Sequence, residues 1–286
     1  MSKAFLWLRA ETFIHVGVGQ QSSLIDLPFA REGATGYPYI PGSGLKGALR
    51  DAGRLAYGWQ GGDDPADVTA QFGEQNNAGR ILVSDARLAF LPVRSMDRSY
   101  RYVTCCALLN RLARDLEFAG CGTSGWTGDR AGLVNGKYLS STAGAEVFLE
   151  EFPFHYHDAV VISALIARLP TDIQTQINDR TLVISDDDFA YFAQYGLHVR
   201  TRNRLDPKTK TVDGSGLWTE ESLPPDALMY AVLTPRLPSH SADLVTALGK
   251  FASELGNYFQ VGGNETVGEG WFKILPEPGA PAPGGP

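Results

Sequence analysis

Alternating apolar and polar positions predict several strands along the chain. Residues 5–18 alternate and are rich in β-branched and aromatic side chains, which predicts an opening strand. A second strand is predicted over residues 81–93, with an interruption at 84–87. The same signals predict further strands at residues 145–152, 182–184, 227–233 and 271–275.

Apolar residues at helical spacing predict the helices. Residues 45–57 carry one apolar stripe, made of Leu45, Ala48, Leu49, Ala52 and Leu55. Another helix is predicted at about 104–118, and residues 158–169 are ambiguous between helix and strand, with helix favoured. Ser185 precedes three aspartates and is predicted to cap a helix, as is Ser241, which precedes Leu244, Leu248, Phe251 and Leu255.

Four segments lack either period. Residues 20–40 are turn-rich, and residues 120–144 are dominated by Gly, Ser and Thr, so each is predicted to be a long loop or insertion. Residues 197–223 alternate arginine with polar residues around an Asp-Pro turn, which predicts a polar hairpin. Residues 276–286 form a Pro/Gly tail that is predicted to be disordered.

Composition restricts the classes of partner. The chain has 286 residues, is 43% hydrophobic and carries a formal net charge of −7. Simple charge-driven binding to nucleic acid or to an anionic membrane is therefore disfavoured unless basic residues are locally concentrated. Cys105, Cys106 and Cys121 match neither a disulfide framework nor zinc-ligand spacing. With no long apolar run, these features predict a soluble protein of the reducing cytoplasm.

Basic residues are concentrated in three places. Glycines and Ser43 precede a helix on which Lys46, Arg50 and Arg54 recur every four residues, which favours an anion site or, alternatively, a capped helix with solvated cations. The spacing is not that of a Walker A loop. In the hairpin, Arg200, Arg202 and Arg204 are predicted to form a cationic row on one side, although charge also protects ordinary edge hairpins. Arg94, Arg98 and Arg101 form a looser cluster.

Glycine and titratable residues supply the remaining candidates. Residues 262–270 contain Gly262, Gly263, Gly268 and Gly270, which indicate close approach to a polar chain such as an RNA backbone, or simply a glycine-rich turn. The pair His155 and His157 lacks an evident third metal ligand. His15 ends the first predicted strand, beside the loop that carries Asp26 among apolar residues. No serine-protease-like arrangement is present.

Several of these segments, taken in order, resemble one family. They are Phe13-Ile14-His15-Val16-Gly17, Ile25-Asp26-Leu27-Pro28, Tyr39-Ile40-Pro41-Gly42-Ser43-Gly44-Leu45-Lys46-Gly47, Ser84-Asp85-Ala86-Arg87-Leu88 and Gly262-Gly263-Asn264-Glu265-Thr266-Val267-Gly268-Glu269-Gly270. The chain resembles the RAMP superfamily of CRISPR proteins from about residue 5 to 275. Within it, the chain is most similar to the repeated backbone subunit of the type III-B Cmr RNA-targeting complex.

The resemblance implies a fold and a set of partners. An α+β fold is expected, with a ferredoxin-like (RRM-like) core in a single domain over residues 1–275 and a thumb-like hairpin at about 197–223. Copies are expected to stack head to tail along a CRISPR guide RNA, with other Cmr subunits, and to capture complementary target RNA. The expected RNA-binding residues are Ser43, Lys46, Arg50, Arg54, Arg94, Arg200, Arg202, Arg204, Gly262, Gly263, Asn264, Thr266 and Gly268.

The resemblance also implies an activity. The family's cleaving aspartate falls on Asp26, with His15 as a secondary candidate. A hairpin that displaces a base pair would free one linkage for attack by its 2′-OH, giving a 2′,3′-cyclic phosphate and a 5′-OH. Asp26 would accept the proton or hold a divalent ion, Mg²⁺. Two alternatives stay open: a non-catalytic RNA-coating subunit, and a stand-alone endoribonuclease that processes guide RNA.

Overall fold

The computed structural model describes residues 3–20, 24–122, 126, 128 and 133–276, and gives the backbone but not the side chains of residues 213–215. The strands are β1 (Ala4–Ala10), β2 (Tyr39–Ile40), β3 (Gly73–Glu74), β4 (Asn77–Ala78), β5 (Ile81–Val83), β6 (Ala86–Val93), β7 (Arg101–Cys105), β8 (Lys137–Ser140), β9 (Val147–Leu149), β10 (Phe152–Ala159), β11 (Thr181–Ile184), β12 (His198–Leu205), β13 (Val212–Ser222), β14 (Leu228–Pro235), β15 (Tyr258–Gln260) and β16 (Trp271–Leu275). The helices are α1 (Gly42–Ala56), α2 (Ala66–Phe72), α3 (Cys106–Ala119), α4 (Ser163–Ile166), α5 (Thr171–Arg180), α6 (Asp186–Tyr195) and α7 (Ser241–Leu255).

One large mixed sheet organises this α+β fold. Its order is β15-β16-β1-β14-β6-β7-β11-β8-β10-β9, with β2 added to β6 and β5 added to β14. The pairs β7–β11 and β8–β10 are parallel, whereas β1 is antiparallel to both β14 and β16. The hairpin β12–β13 forms a separate two-stranded sheet.

Both faces of the sheet are buried. Side chains of β1 alternate between the faces, because successive residues of a strand point in opposite directions. Leu6 and Leu8 belong to a core with helices α1 and α7, and Phe5 and Trp7 belong to a second core with α3, α4 and α5. In the part of the chain that is described, no helix is long and apolar enough to cross a membrane.

Most predicted elements are present, with shifted ends. The strand at 271–275, the interrupted strand at 81–93, the polar hairpin and the cap at Ser185 are confirmed, since the Ser185 side chain accepts a hydrogen bond from the Asp188 N–H. Strand β1 ends at Ala10 rather than at residue 18, because the chain then turns to pair Ile14 with Leu223.

Three helical predictions need correction. Helix α1 begins at Gly42, and Leu55 of the predicted stripe is 64% exposed. Of residues 158–169, the first two end strand β10 and only 163–166 are helical, as the short helix α4. Helix α5 follows it with only two buried apolar residues, too few for a helical pattern. Ser241 donates to the Pro238 carbonyl instead of capping α7, whose N-cap is His240. The strand β8 lies inside the predicted loop at 120–144, and residues 277–286 of the predicted disordered tail lie outside the described residues.

The position of β1 inside the sheet predicts how the chain responds to a cavity. Leu8 is fully buried, so Leu8→Ala should lower the free energy of unfolding by about 2–5 kcal/mol. Leu82→Ala is the matched control, since Leu82 is 50% exposed on β5 and should cost less than about 1 kcal/mol. Denaturant unfolding measures both, and equal losses would contradict the assignment of β1 to the core.

Candidate active site at the base of the hairpin

The loop that carries Asp26 pairs with strand β13 of the hairpin. The Leu27 N–H donates to the Thr219 carbonyl at 3.0 Å, and the Glu221 N–H donates to the Leu27 carbonyl at 3.0 Å. Leu27 therefore forms a parallel bridge with Glu220, so the loop is held as an extra segment of strand. The position of Asp26 is thus set by the base of the hairpin.

Asp26 is bonded to a single residue of β13. Its Oδ2 accepts from the Thr219 N–H at 2.7 Å and from the Thr219 hydroxyl at 2.9 Å, while the Asp26 N–H donates to the same hydroxyl oxygen at 3.0 Å. The backbone and side-chain hydrogen bonds from Thr219 lower the pKa of Asp26 below its ordinary value. This partly exposed carboxylate is therefore an anion at neutral pH.

Glu221, two residues further along the strand, anchors the other end of the same loop. Its buried carboxylate accepts from the Phe29 N–H at 2.9 Å and from the Arg31 guanidinium at 2.6 Å. Arg31 also donates to the Gly36 carbonyl at 2.9 Å. Because a buried carboxylate needs such partners, these bonds fix residues 29–36 against the hairpin.

Glu220 points to the opposite side of β13 and holds the glycine-rich loop. It accepts from Arg202 at 3.1 Å and from the Asn264 amide at 2.7 Å. Glu269, at the end of that loop, pairs with Arg200 and Arg202, each at 2.7 Å. Burial raises the pKa of Glu269, but its hydrogen bonds and ion pairs with the two arginines outweigh burial, and the net pKa is lowered.

These pairs correct the expectation of a cationic row. Arg200 and Arg202 are engaged by Glu269 and Glu220, and Arg200 also lies over the Phe13 ring, with 4.5 Å between the guanidinium carbon and the ring centroid. The base of the hairpin is therefore close to neutral. Towards the tip, the side chains of Arg204, Lys208 and Lys210 are exposed.

His15 lies buried beneath the hairpin. Its Nδ1 is 2.7 Å from the Glu221 carbonyl oxygen, which can only accept, so Nδ1 carries a proton. In the neutral imidazole, Nε2 is then the unprotonated nitrogen. The His15 carbonyl accepts from the Gly263 N–H at 2.9 Å. His15 thus links the hairpin to the glycine-rich loop through both its ring and its backbone.

Two glycines of residues 262–270 approach the chain's own carbonyls. A Cβ at Gly262 would lie 2.1 Å from the His15 carbonyl oxygen, and a Cβ at Gly270 would lie 2.7 Å from the Val261 carbonyl oxygen. At these positions the close approach predicted for an RNA backbone is made within the protein instead. Gly268 has a φ of +82° with open space around it, and Thr266 is exposed in a 3-10 turn.

The second basic site lies at the start of α1. The first amide of the helix, that of Gly42, donates to the Asp85 carboxylate at 2.6 Å. Arg50 and Arg54 both bind Asp64, and the hydrogen bond from Arg54, with the bonds and charge of Arg50, lowers the pKa of Asp64 against burial. An open groove of about 630 Å³ remains here, lined by residues that include Ser43, Lys46, Arg50, Asn76 and Asn77.

The looser basic cluster has acidic partners of its own. Arg94 is mostly exposed and pairs with Glu150 at 3.0 Å. Arg98 pairs with Asp179, and Arg101 pairs with Asp97. Among the described residues, no side chain of the α1 groove or of this cluster is hydrogen-bonded to Asp26. The predicted RNA-binding residues therefore fall into three groups: the hairpin with the glycine-rich loop, the start of α1, and this cluster.

The potential metal ligands of the described residues are dispersed. Among the described residues, no group of three or more His, Cys, Asp or Glu side chains could hold a metal ion. His155 faces Glu146 at 3.4 Å. Asp26 supplies one carboxylate, one oxygen of which already accepts two hydrogen bonds from Thr219. Mg²⁺ is commonly bound by one or two carboxylates together with substrate phosphates, so such an ion would have to arrive with its substrate.

The residues that organise this site escaped sequence reasoning. Thr219, Glu220 and Glu221 lie on the returning strand of the predicted hairpin, but nothing in their spacing connects them to Asp26, about 190 positions earlier in the chain. The one available signal is a pair of adjacent glutamates on the returning strand of a hairpin whose first strand carries three arginines. On a strand they must point to opposite sides, which is how they hold two different loops.

Comparison with known proteins adds to the geometry. Residues 7–273 match the model of the family described as the RAMP superfamily. The chain is 34% identical, over 95% of both chains, to the CRISPR system Cmr endoribonuclease Cmr4 of Pyrococcus furiosus. It is also similar to the crystal structure of oligomeric Cmr4 from Pyrococcus furiosus, with a TM-score of 0.74, 30% identity and coverage of 97% of this chain and 98% of the other. A chain of the type III-B Cmr-beta complex bound to cognate target RNA gives a TM-score of 0.72 at 25% identity, with 96% of each chain covered.

The contact between Gly262 and His15 predicts unequal effects of two glycine substitutions. Gly268→Ala should cost about 1–2 kcal/mol of stability, the penalty for a left-handed backbone. Gly262→Ala should cost clearly more, because its φ is +89° and the new methyl group would also collide with the His15 carbonyl. Thermal unfolding of the two variants checks this. Equal losses of stability would contradict the close contact between Gly262 and the His15 carbonyl.

Proposed function

The chain belongs to the RAMP superfamily, and on that premise we propose that it is the repeated backbone subunit of a type III-B Cmr effector complex. In this role it binds CRISPR guide RNA in a head-to-tail filament with other Cmr subunits, and cleaves complementary target RNA at regular intervals. The Cmr endoribonuclease of Pyrococcus furiosus and the Cmr-beta complex with target RNA support this assignment. The three free cysteines agree with the cytoplasmic location that we propose.

The observation that carries the cleavage proposal is the bond between Asp26 and the hairpin. The carboxylate is held by Thr219 on β13, at the base of the element that we propose as the thumb. We propose that an RNA linkage opened by this thumb lies beside this ionised carboxylate. We further propose that the part of the sheet built around β1 and β14 represents the ferredoxin-like core of the family.

The proposed chemistry follows from RNA geometry. In an A-form duplex the ribose 2′-OH is not in line with the adjacent phosphate, so a paired strand resists self-cleavage. When the hairpin displaces a base pair, the freed linkage can adopt the in-line arrangement, which is a positioning effect. The 2′-oxygen attacks phosphorus and gives its proton to a base, the bond from phosphorus to the 5′-oxygen of the next nucleotide breaks, and that oxygen takes up a proton. The products are a 2′,3′-cyclic phosphate and a 5′-OH.

Asp26 acts on the nucleophile in this scheme. Its lowered pKa makes it a weak base, so its contribution is to accept a hydrogen bond from the attacking 2′-OH and to orient it. His15, whose Nε2 is the unprotonated nitrogen when the imidazole is neutral, is the secondary candidate for proton transfer. A divalent ion bound to the RNA phosphates would neutralise charge at the reacting phosphate, with Asp26 as its one protein ligand.

RNA binding by the arginines requires an exchange of partners. We propose that Lys46 with Ser43 and the exposed tip of the hairpin make the first phosphate contacts. Arg200 and Arg202 would bind phosphates only if these compete with Glu269 and Glu220. Because the protein recognises guide backbone by shape and charge while base pairing selects the target, acidic surface elsewhere on the chain is compatible with this role.

Replacement of the carboxylate tests the cleavage site. In the assembled complex, Asp26→Asn should lower the target cleavage rate by a factor of about 10² or more, because it removes the anion beside the 2′-OH. Capture of labelled complementary RNA should be unchanged, and Asp63→Asn, on an exposed loop, is the matched control. The wild-type complex should give regularly spaced cuts whose 5′ fragments end in a cyclic phosphate.

Other results of that assay would each reject the proposal. If Asp26→Asn loses target capture in parallel with cleavage, the residue is structural. Capture without any cutting by the wild-type complex would indicate an RNA-coating subunit. Trimming of guide precursors by the isolated chain would indicate a processing endoribonuclease.

Chelation tests the source of the metal. EDTA should stop cleavage while leaving target capture intact, and added Mg²⁺ should restore the rate, since the ion is expected to come with the RNA. The isolated protein should show no tight Mg²⁺ site by calorimetry, because the described residues include no group of three or more His, Cys, Asp or Glu side chains that could hold a metal ion. Full-rate cleavage in EDTA would remove the metal from the mechanism.

A further inference from the structure

We propose that Thr219 is a positioning residue for target cleavage, through the hydroxyl and amide that fix the orientation of the Asp26 carboxylate. This inference rests on the proposed function, in which Asp26 acts on the RNA. Thr219 lies on β13, and three hydrogen bonds join it to Asp26.

The arrangement requires a hydroxyl. The Thr219 oxygen accepts the Asp26 N–H at 3.0 Å and donates to Asp26 Oδ2 at 2.9 Å, so one atom serves as acceptor and donor at once. The Thr219 N–H completes the set at 2.7 Å. Both contacts with the carboxylate fall on Oδ2, so rotation about the side chain is restrained and Oδ1 keeps one direction. Serine can reproduce this pattern, whereas valine cannot.

Thr219 is itself held in place by the hairpin. It lies opposite Thr201 of β12, and its carbonyl accepts the Leu27 N–H at 3.0 Å. The carboxylate therefore takes its orientation from β13, the returning strand of the thumb, and not from the loop alone. If the thumb shifts when it displaces a base pair, Asp26 shifts with it and stays beside the opened linkage.

The hydroxyl is separable from the structural attachment of the loop. Without it, the loop keeps the two backbone bonds between Leu27 and β13 and the bonds from Glu221 to Phe29 and Arg31. Thr219→Val also preserves the β-branch that favours a strand. The variant is thus expected to fold and assemble, while its aspartate samples more than one rotamer.

The test compares four variants in the assembled complex. They are Thr219→Val, Thr219→Ser, Thr201→Val as the matched loss of a hydroxyl across the hairpin, and Asp26→Asn as the reference for a lost catalytic residue. Each is measured for assembly by size, for the dissociation constant of target RNA, and for the single-turnover cleavage rate.

We expect the rate of Thr219→Val to fall by about 10- to 100-fold, the scale of a misplaced catalytic group, with the dissociation constant unchanged. Thr219→Ser should restore the rate to within about threefold of wild type, since it returns the hydroxyl. Thr201→Val should cleave normally. A merely structural role of Thr219 would give neither rescue by serine nor a lower cleavage rate with unchanged target binding.

Several outcomes would overturn the inference. Wild-type cleavage by Thr219→Val alongside an inactive Asp26→Asn would reject the role of Thr219 and leave the proposed function intact. Normal cleavage by both would reject the catalytic assignment of Asp26 as well. Loss of assembly or of target binding in Thr219→Val, or failure of Thr219→Ser to rescue cleavage, would make Thr219 a residue of the fold alone.

Discussion

The alternation of side chains along one short stretch of β13 determines the geometry of the site. Thr219 and Glu221 point towards the loop that carries Asp26, and Glu220, between them, points towards the glycine-rich loop. Both glutamates are nearly fully buried, so each needs its arginine partner, and removal of one member of such a pair typically costs about 3–5 kcal/mol. Loops far apart in the sequence are therefore fixed to the hairpin by charges that cannot be left unpaired.

This use of charge changes how the basic character of the hairpin is understood. The sequence places three arginines at alternate positions on β12, as an RNA-binding strand would. Two of them, Arg200 and Arg202, instead stabilise the base of the hairpin against Glu269 and Glu220. In the proposed function, attraction for RNA comes first from the exposed tip and from the groove at the start of α1. A strongly acidic chain can thus present cations locally while its interior charges balance one another.

Elements that depend on a few neighbouring residues could be predicted from the sequence. The strand β16, the break between β5 and β6 and the cap at Ser185 all follow from a few neighbouring residues. Helix α5 was missed because its polar surface leaves only two buried apolar residues. Asp26 was identified through a family motif, but its partner Thr219 was not, since hydrogen bonds between residues 193 positions apart leave no trace in periodicity.

The placement of the first strand has a consequence for biosynthesis. Because β1 lies between β14 and β16, its two neighbours in the sheet are made only after every strand from β2 to β13. Until then the apolar faces of Phe5, Leu6, Trp7 and Leu8 have no strand to pair with, and a nascent chain would expose them. The sheet is complete only once β14 and β16 have been made, so a product truncated before β14 would lack a completed core and would be a poor competitor for a place on the guide.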